Sequence, residues 1–195
     1  MKKILIPIAI FFTFISCQEK FPVLDSWGSA NYNLVNQDGE KVIFPHALKG
    51  KVSLVTYIFT NCPDICPLTT NNMRLIQERM KKEGINHVDL YSISFDPEVD
   101  TPPVLKKFAE MRDLNLSNWQ FLTGDKKEID DLIHQIGVFA VRGDSTVFED
   151  GKTIYYYIHT DRISLVDKEG KIRKNYPGST TNIDEVINDL KDFNE

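Results

Sequence analysis

With 195 residues, 42% hydrophobic and 11% aromatic, the chain can bury one well-formed core and is too short for two comfortable ones. The formal charge is −5, and without Lys2 and Lys3 of the leading segment the remainder carries −7. That balance excludes a nucleic-acid partner, and three cysteines are too few for a disulfide-stapled scaffold.

The chain begins with basic Lys2 and Lys3, an apolar run from Ile4 to Ile15, and the small Ser16 just before Cys17. This is the layout of an export signal, and the run is shorter than the about 20 apolar residues of a membrane-spanning helix. Phe14-Ile15-Ser16-Cys17 resembles the bacterial lipobox, whose cysteine becomes the lipidated N-terminus. The expected organisation is a lipoprotein signal over residues 1–16, a tether over 17–29 beginning at lipidated Cys17, and one domain over 30–195. Such a chain is exported and lipid-anchored to a bacterial membrane, facing the periplasm.

Two short strands, Tyr32 to Val35 and Lys41 to Phe44, are joined by the turn sequence Asn36-Gln37-Asp38-Gly39, predicting an N-terminal β-hairpin. Val52 to Phe59 is β-branched, aromatic and uncharged, as a strand buried on both faces should be. From Pro67 the period changes: Leu68, Met73, Leu75, Ile76 and Met80 mark an amphipathic helix that Lys81-Lys82-Glu83-Gly84 closes. Val88 to Phe95 is a second core strand, which the β-α-β order makes parallel to the first.

The turn Asp96 to Pro103 leads into a helix over Val104 to Met111, with Asp100 or Thr101 as its cap. A strand over Trp119 to Thr123 and a helix over Lys127 to Gln135 follow. Arg142 to Lys152 is polar and aperiodic, which predicts an exposed loop before the aromatic run Ile154 to His159. Arg162 to Val166 and Lys171 to Tyr176 form an antiparallel pair, and Ile183 to Phe193 a closing helix. The order describes an α/β fold of the thioredoxin type, a central mixed sheet flanked by helices.

Cys62 and Cys66 stand in TNCPDICP, where a central strand runs into a helix, the place open α/β folds reserve for ligands. Unpaired N–H groups at the helix start favour thiolate, and Pro67 suits its first turn. Three uses are open to the pair. It can act as a redox dithiol, although the usual spacing is C-x-x-C. It can bind metal, and two thiolates with one imidazole suit Cu(I) better than a structural zinc, while a Cys₂His catalytic zinc stays open. It can also be two small apolar residues in a wall.

The candidate third ligands are His46, His87, His134 and His159. His134 lies beside Asp130 and Asp131 on a helix and His87 in a turn, both expected to be solvated. His46 has only Pro45 before it. His159 is favoured, because the late hairpin that follows it packs beside the cysteine loop in thioredoxin-type folds.

The run Tyr57 to Pro67, with T-x-C-P-x-x-C-P at its heart, resembles the signature of the Sco/SenC family of membrane-associated copper proteins. Ser94-Phe95-Asp96-Pro97-Glu98-Val99-Asp100-Thr101, Leu122-Thr123-Gly124 and His159-Thr160 match further family segments, in order, across Tyr32 to Phe193. The resemblance implies a thioredoxin-like copper-binding domain with Cys62, Cys66 and His159 as ligands for Cu(I) or Cu(II), and Asp96 in the outer shell of the metal. It also implies service to the binuclear copper centre of cytochrome c oxidase, with that enzyme's copper-receiving subunit or another copper chaperone as partner, and a monomer is expected. Thiol-disulfide exchange by Cys62 and Cys66 without metal, and a copper or redox sensor, are the alternatives. One departure is Ile158, where many members carry an acidic or polar residue before the histidine.

Overall fold

The computed structural model describes residues 20–147 and 153–193, so Cys17 and the signal segment lie outside the described residues. An eight-stranded mixed sheet has the order β1-β10-β9-β4-β5-β6-β2-β3. Its strands are β1 (Asp25–Ser26), β2 (Tyr32–Asn36), β3 (Lys41–Phe44), β4 (Val52–Ile58), β5 (Val88–Ser94), β6 (Trp119–Gly124), β9 (Arg162–Val166) and β10 (Lys171–Pro177). The remaining strands, β7 (Ala140–Val147) and β8 (Thr153–His159), form a separate antiparallel hairpin. The helices are α1 (Ile65–Lys82), α2 (Pro102–Glu110), α3 (Lys126–Gln135) and α4 (Ile183–Asp192). Among the described residues no helix is long and apolar enough to cross a membrane.

Every residue of β4 is buried, as its apolar composition demands, and the strand is interior to the sheet, with β5 parallel on one side and β9 antiparallel on the other. Its carboxyl end therefore points the following loop out of the middle of the sheet. The β2–β3 hairpin turns where Asn36 Oδ1 accepts the Asp38 and Glu40 amides, and Gly39 takes the left-handed conformation at φ 80°.

Two expectations are corrected. Residues 142–147 belong to a strand: β7 pairs with β8 from Ala140↔His159 to Val147↔Thr153. The register shifts between Arg142 and Ser145, and that irregularity erases the alternation by which a strand is read from sequence. The remainder of the expected loop, residues 148–152, lies outside the described residues.

The expected tether is also shorter than residues 17–29. Asp25–Ser26 adds an edge strand to β10, and Trp27, 1% exposed, packs edge-to-face on Phe44 at 5.0 Å. Trp27→Ala is expected to cost about 3–5 kcal/mol, measured by urea unfolding, whereas a residue in a free tether would change stability by almost nothing.

Candidate metal centre

Cys62 lies in the loop that leaves β4, and Cys66 is the second residue of α1. Asp64, at the helix cap position, makes no side-chain cap bond; the Cys66 amide instead donates to Cys62 Sγ at 3.4 Å. The sulfur thus takes the role of a capping oxygen at the positive end of the helix. Cys66 is 1% exposed and Cys62 half-buried, and both are free thiols.

The loop is fixed by Asp100, a buried residue whose carboxylate accepts the Thr60 amide and the hydroxyls of Thr60 and Ser94. Burial pushes its carboxyl up, against the pull of those three donors. The sequence suggested only a helix cap for Asp100, and Thr101 holds the cap position. No local pattern could show that its partners lie at the end of β4.

His159 ends β8, and its Nε2 lies 3.7 Å from Cys66 Sγ. Nδ1 is 3.1 Å from the Thr160 carbonyl, an acceptor only, so in the neutral ring Nδ1 carries the proton and Nε2 presents its lone pair towards the sulfurs. The ring leans on Phe95, centroids 4.9 Å apart, and on Phe59 at 6.4 Å. Ile158 is 59% exposed on the opposite face of β8, so the family departure there leaves the ring's hydrogen bond to Thr160 in place.

Asp161, two residues further, ties this turn to α1 and to the turn after β10 by accepting the Thr69 hydroxyl and both the amide and hydroxyl of Ser179. Gly178 makes the approach possible, since a Cβ there would stand 2.1 Å from Asp161 Oδ1. Nothing in the sequence pattern singled out Asp161 or Gly178.

The ligand-capable atoms of Cys62, Cys66 and His159 all lie within 4.8 Å of one another. Two donors each ~2.0–2.3 Å from one ion can stand up to ~4.6 Å apart, so small side-chain adjustments would close this set on a metal. The donor set, two sulfurs and an imidazole behind an aromatic wall, suits a soft ion of low coordination number. His46 and His134 are exposed elsewhere and His87 is half-buried, where burial and Lys168 lower its pKa; none belongs to this group.

The electrostatics distinguish the two thiols. A hydrogen bond from Cys66 holds Cys62 far below the usual thiol range, at about 4, with burial opposing and His159 assisting. The same interaction, with burial, drives Cys66 strongly up, so the pair releases its first proton at Cys62. Burial disfavours the charged form of His159, but the Cys62 sulfur and the Thr160 carbonyl outweigh it and raise its pKa.

Asp96 makes contacts that the sequence reading did not foresee. It is 1% exposed and accepts hydrogen bonds from Tyr155, and from Tyr157 at 3.2 Å, both on β8. Its carboxylate is therefore held against β8, the strand that carries His159. Tyr157 also packs against Phe59 at 5.0 Å and Phe95 at 5.1 Å, so the same aromatic wall supports both residues.

Comparison with known proteins agrees with this geometry. The SCO1/SenC family profile matches residues 25–195. The SCO1 protein homolog of Bacillus subtilis strain 168 is 38% identical over 161 residues, 82% of this chain and 79% of the relative. Among solved structures, a SCO1/SenC family lipoprotein from Bacillus anthracis superposes with a TM-score of 0.71 at 32% identity, over 85% of this chain and 94% of that one. ScoI of Bradyrhizobium japonicum, solved with copper bound, gives 0.69 at 30% identity, over 84% and 98%. BsSco, described as having a disulfide switch and as a member of the Sco family of cytochrome c oxidase assembly proteins, gives 0.69 at 34%, over 89% and 95%. With a thioredoxin-like sheet, a C-x₃-C loop at the end of its central strand and a histidine folded back onto it, the chain belongs to the SCO1/SenC family.

Proposed function

We propose that the chain is an exported, lipid-anchored copper-binding protein that takes one copper at Cys62, Cys66 and His159. It serves assembly of the binuclear copper centre of cytochrome c oxidase, delivering copper to the receiving subunit or to another copper chaperone. The observation that carries the reading is the convergence of two sulfurs and one imidazole within 4.8 Å, from segments 93 residues apart. Cys62 is held ready as thiolate, Cys66 yields its proton on binding, and Nδ1–H of His159 stays on Thr160. Three ligands leave room for an incoming donor, so copper can leave by ligand exchange without a free-ion step. The ScoI structure holding copper, the lipoprotein relative and the Sco family's link to oxidase assembly support the same reading.

The test is titration of the reduced, metal-free chain with Cu(I) against a competing chelator. One equivalent is expected to bind, and Cys62→Ser, Cys66→Ser and His159→Ala are each expected to weaken retention by more than the ~100-fold that loss of an outer-shell partner produces. Unchanged affinity in all three variants removes the proposal.

A second reading, reduction of the thiols that will receive copper, is favoured by the unequal acidities of the two cysteines. Cys62 thiolate attacks one sulfur of a partner disulfide and displaces the other as thiolate. Cys66, once deprotonated, attacks Cys62 and releases the reduced dithiol, leaving a Cys62–Cys66 disulfide. Two electrons pass to the partner. His159→Ala separates the readings, because exchange turnover survives it while copper retention does not.

A further inference from the structure

We infer that the end of the domain opposite the cysteine loop rests on an anionic membrane surface, which holds the copper site on the side facing away from the bilayer. The inference rests on the lipidation of Cys17 proposed above. Phe21 is already part of the fold, 8% exposed and edge-to-face with Phe193 of the α4 end at 5.0 Å. Only Gln18, Glu19 and Lys20 separate it from Cys17, a covalent reach of at most ~14 Å. A cysteine whose acyl chains enter the bilayer keeps its backbone at the headgroups, so the domain cannot stand clear of them.

The surface where the chain joins the domain has the composition of an interfacial face. Val23 and Leu24 are 50% and 53% exposed, and the Leu24 amide donates to the Ile172 carbonyl at 2.8 Å, which fixes the pair on the edge of the sheet. Exposed lysines gather around Phe21, two residues before Val23. Gly50 donates to the Lys168 carbonyl at 2.8 Å, joining the Lys49-Gly50-Lys51 loop to the β9–β10 turn, and Lys20 and Lys168 line one groove with Phe21.

Most acidic groups on this face are engaged: Asp192 and Asp89 pair with Lys20 and Lys51, and Glu169 with Lys171, while exposed Asp25 accepts the Ser26 amide. Lys49 and Lys168 have no carboxylate partner among the described residues, on a chain whose overall charge is negative. Exposed apolar side chains at the point where the chain enters the domain, with unneutralised lysines around Phe21 two residues before them, lie within a tether's length of the lipid and fit anionic headgroups. The cysteine loop leaves the other end of β4, seven residues or roughly 23 Å away along the strand. The site then opens towards a recipient that protrudes from the membrane.

The full lipidated chain is added to vesicles of phosphatidylcholine alone or mixed with phosphatidylglycerol. Flotation reports anchoring, and amide hydrogen exchange reports orientation. Both vesicle types are expected to float the chain. With phosphatidylglycerol, the amides of residues 23–24, 48–51 and 168–170 should exchange several-fold more slowly, and those of residues 60–62 and 64–66 at an unchanged rate. Lys49→Glu with Lys168→Glu, or high salt, should remove the protection at the lysine loops without altering flotation or copper uptake.

A floating chain with equal exchange in both lipids overturns the inference, as does protection of residues 60–66. Protection that follows protein concentration without lipid would mean a second copy covers the face, and also overturns it. A chain that fails to float removes the lipidation reading and this inference together, but leaves the copper titration untouched.

Discussion

Titrated in the reduced, copper-free state, Cys62 is expected to become thiolate with a midpoint near pH 4, while Cys66 stays protonated through neutrality. The cause is local: the Cys66 thiol and amide both point at Cys62 Sγ, which stands at the start of α1. Thiolate absorbance and the rate of iodoacetamide alkylation, resolved by mass spectrometry, measure it. At pH 6 an unperturbed thiol is only about 10⁻³ to 10⁻² thiolate, whereas Cys62 is fully ionised. Its lower basicity reduces intrinsic nucleophilicity by roughly 10²-fold, so the net alkylation advantage is at most about tenfold.

The more diagnostic signature is the pH profile, flat from neutrality down to about pH 5 and falling as pH drops through about 4. Because the folded pKa lies below the unfolded one, the linked stabilisation is complete above the ordinary thiol pKa. It declines as pH falls and is gone below the folded value. Cys66→Ala removes the thiol donor and moves the midpoint up. Equal alkylation of both cysteines with a midpoint near the ordinary thiol value would show that the loop does not activate Cys62. Copper uptake at mildly alkaline pH should then release about one proton per chain, from Cys66, since Cys62 has already lost its own.

Asp96→Ala is expected to lower copper affinity by about 10- to 100-fold without removing a ligand, and to destabilise the domain by about 1–3 kcal/mol. Its carboxylate takes hydrogen bonds from Tyr155 and Tyr157, and β8 carries His159 two residues beyond the second of these. Without the acceptor, the buried Tyr155 hydroxyl loses its carboxylate partner, keeping only the Asn61 side chain, and β8 loses a fixed point on the β5–α2 turn. Burial, with the hydrogen bond to Asp96 next, raises Tyr155 to about 12, so the phenol remains a donor at neutral pH.

Asp96→Asn keeps one acceptor oxygen and should recover much of the affinity. Tyr157→Phe, which removes the longer of the two bonds, should cost less than Asp96→Ala. Competition titration gives the affinity, and the Cu(II) charge-transfer spectrum reports whether His159 stays in place. An unchanged affinity and spectrum in Asp96→Ala would reduce Asp96 to turn chemistry, which its carbonyl already performs by accepting the Val99 and Asp100 amides.

Much of this protein is written locally. The apolar run of β4, the change of period after Pro67 and the β-α-β order suffice for a thioredoxin-like sheet, because strand and helix periodicities depend on neighbours a few residues apart. The chemistry of TNCPDICP is local too: strand, loop and helix start set both sulfurs at a positive helix end. His159 could be favoured over three other histidines only because a β-hairpin beside the loop was itself legible.

Folding in three dimensions decided the rest. Trp27 is core because β10 accepts Asp25–Ser26 as an edge strand, although the surrounding sequence has the composition of a tether. β7 exists because β8 offers it partners across a register shift that erases alternation. Asp96 meets its tyrosines 59 and 61 residues away, and Asp100 finds Thr60 at a separation of 40. Such pairs form because burying a carboxylate demands donors from whatever packs against it, and that depends on how distant strands assemble.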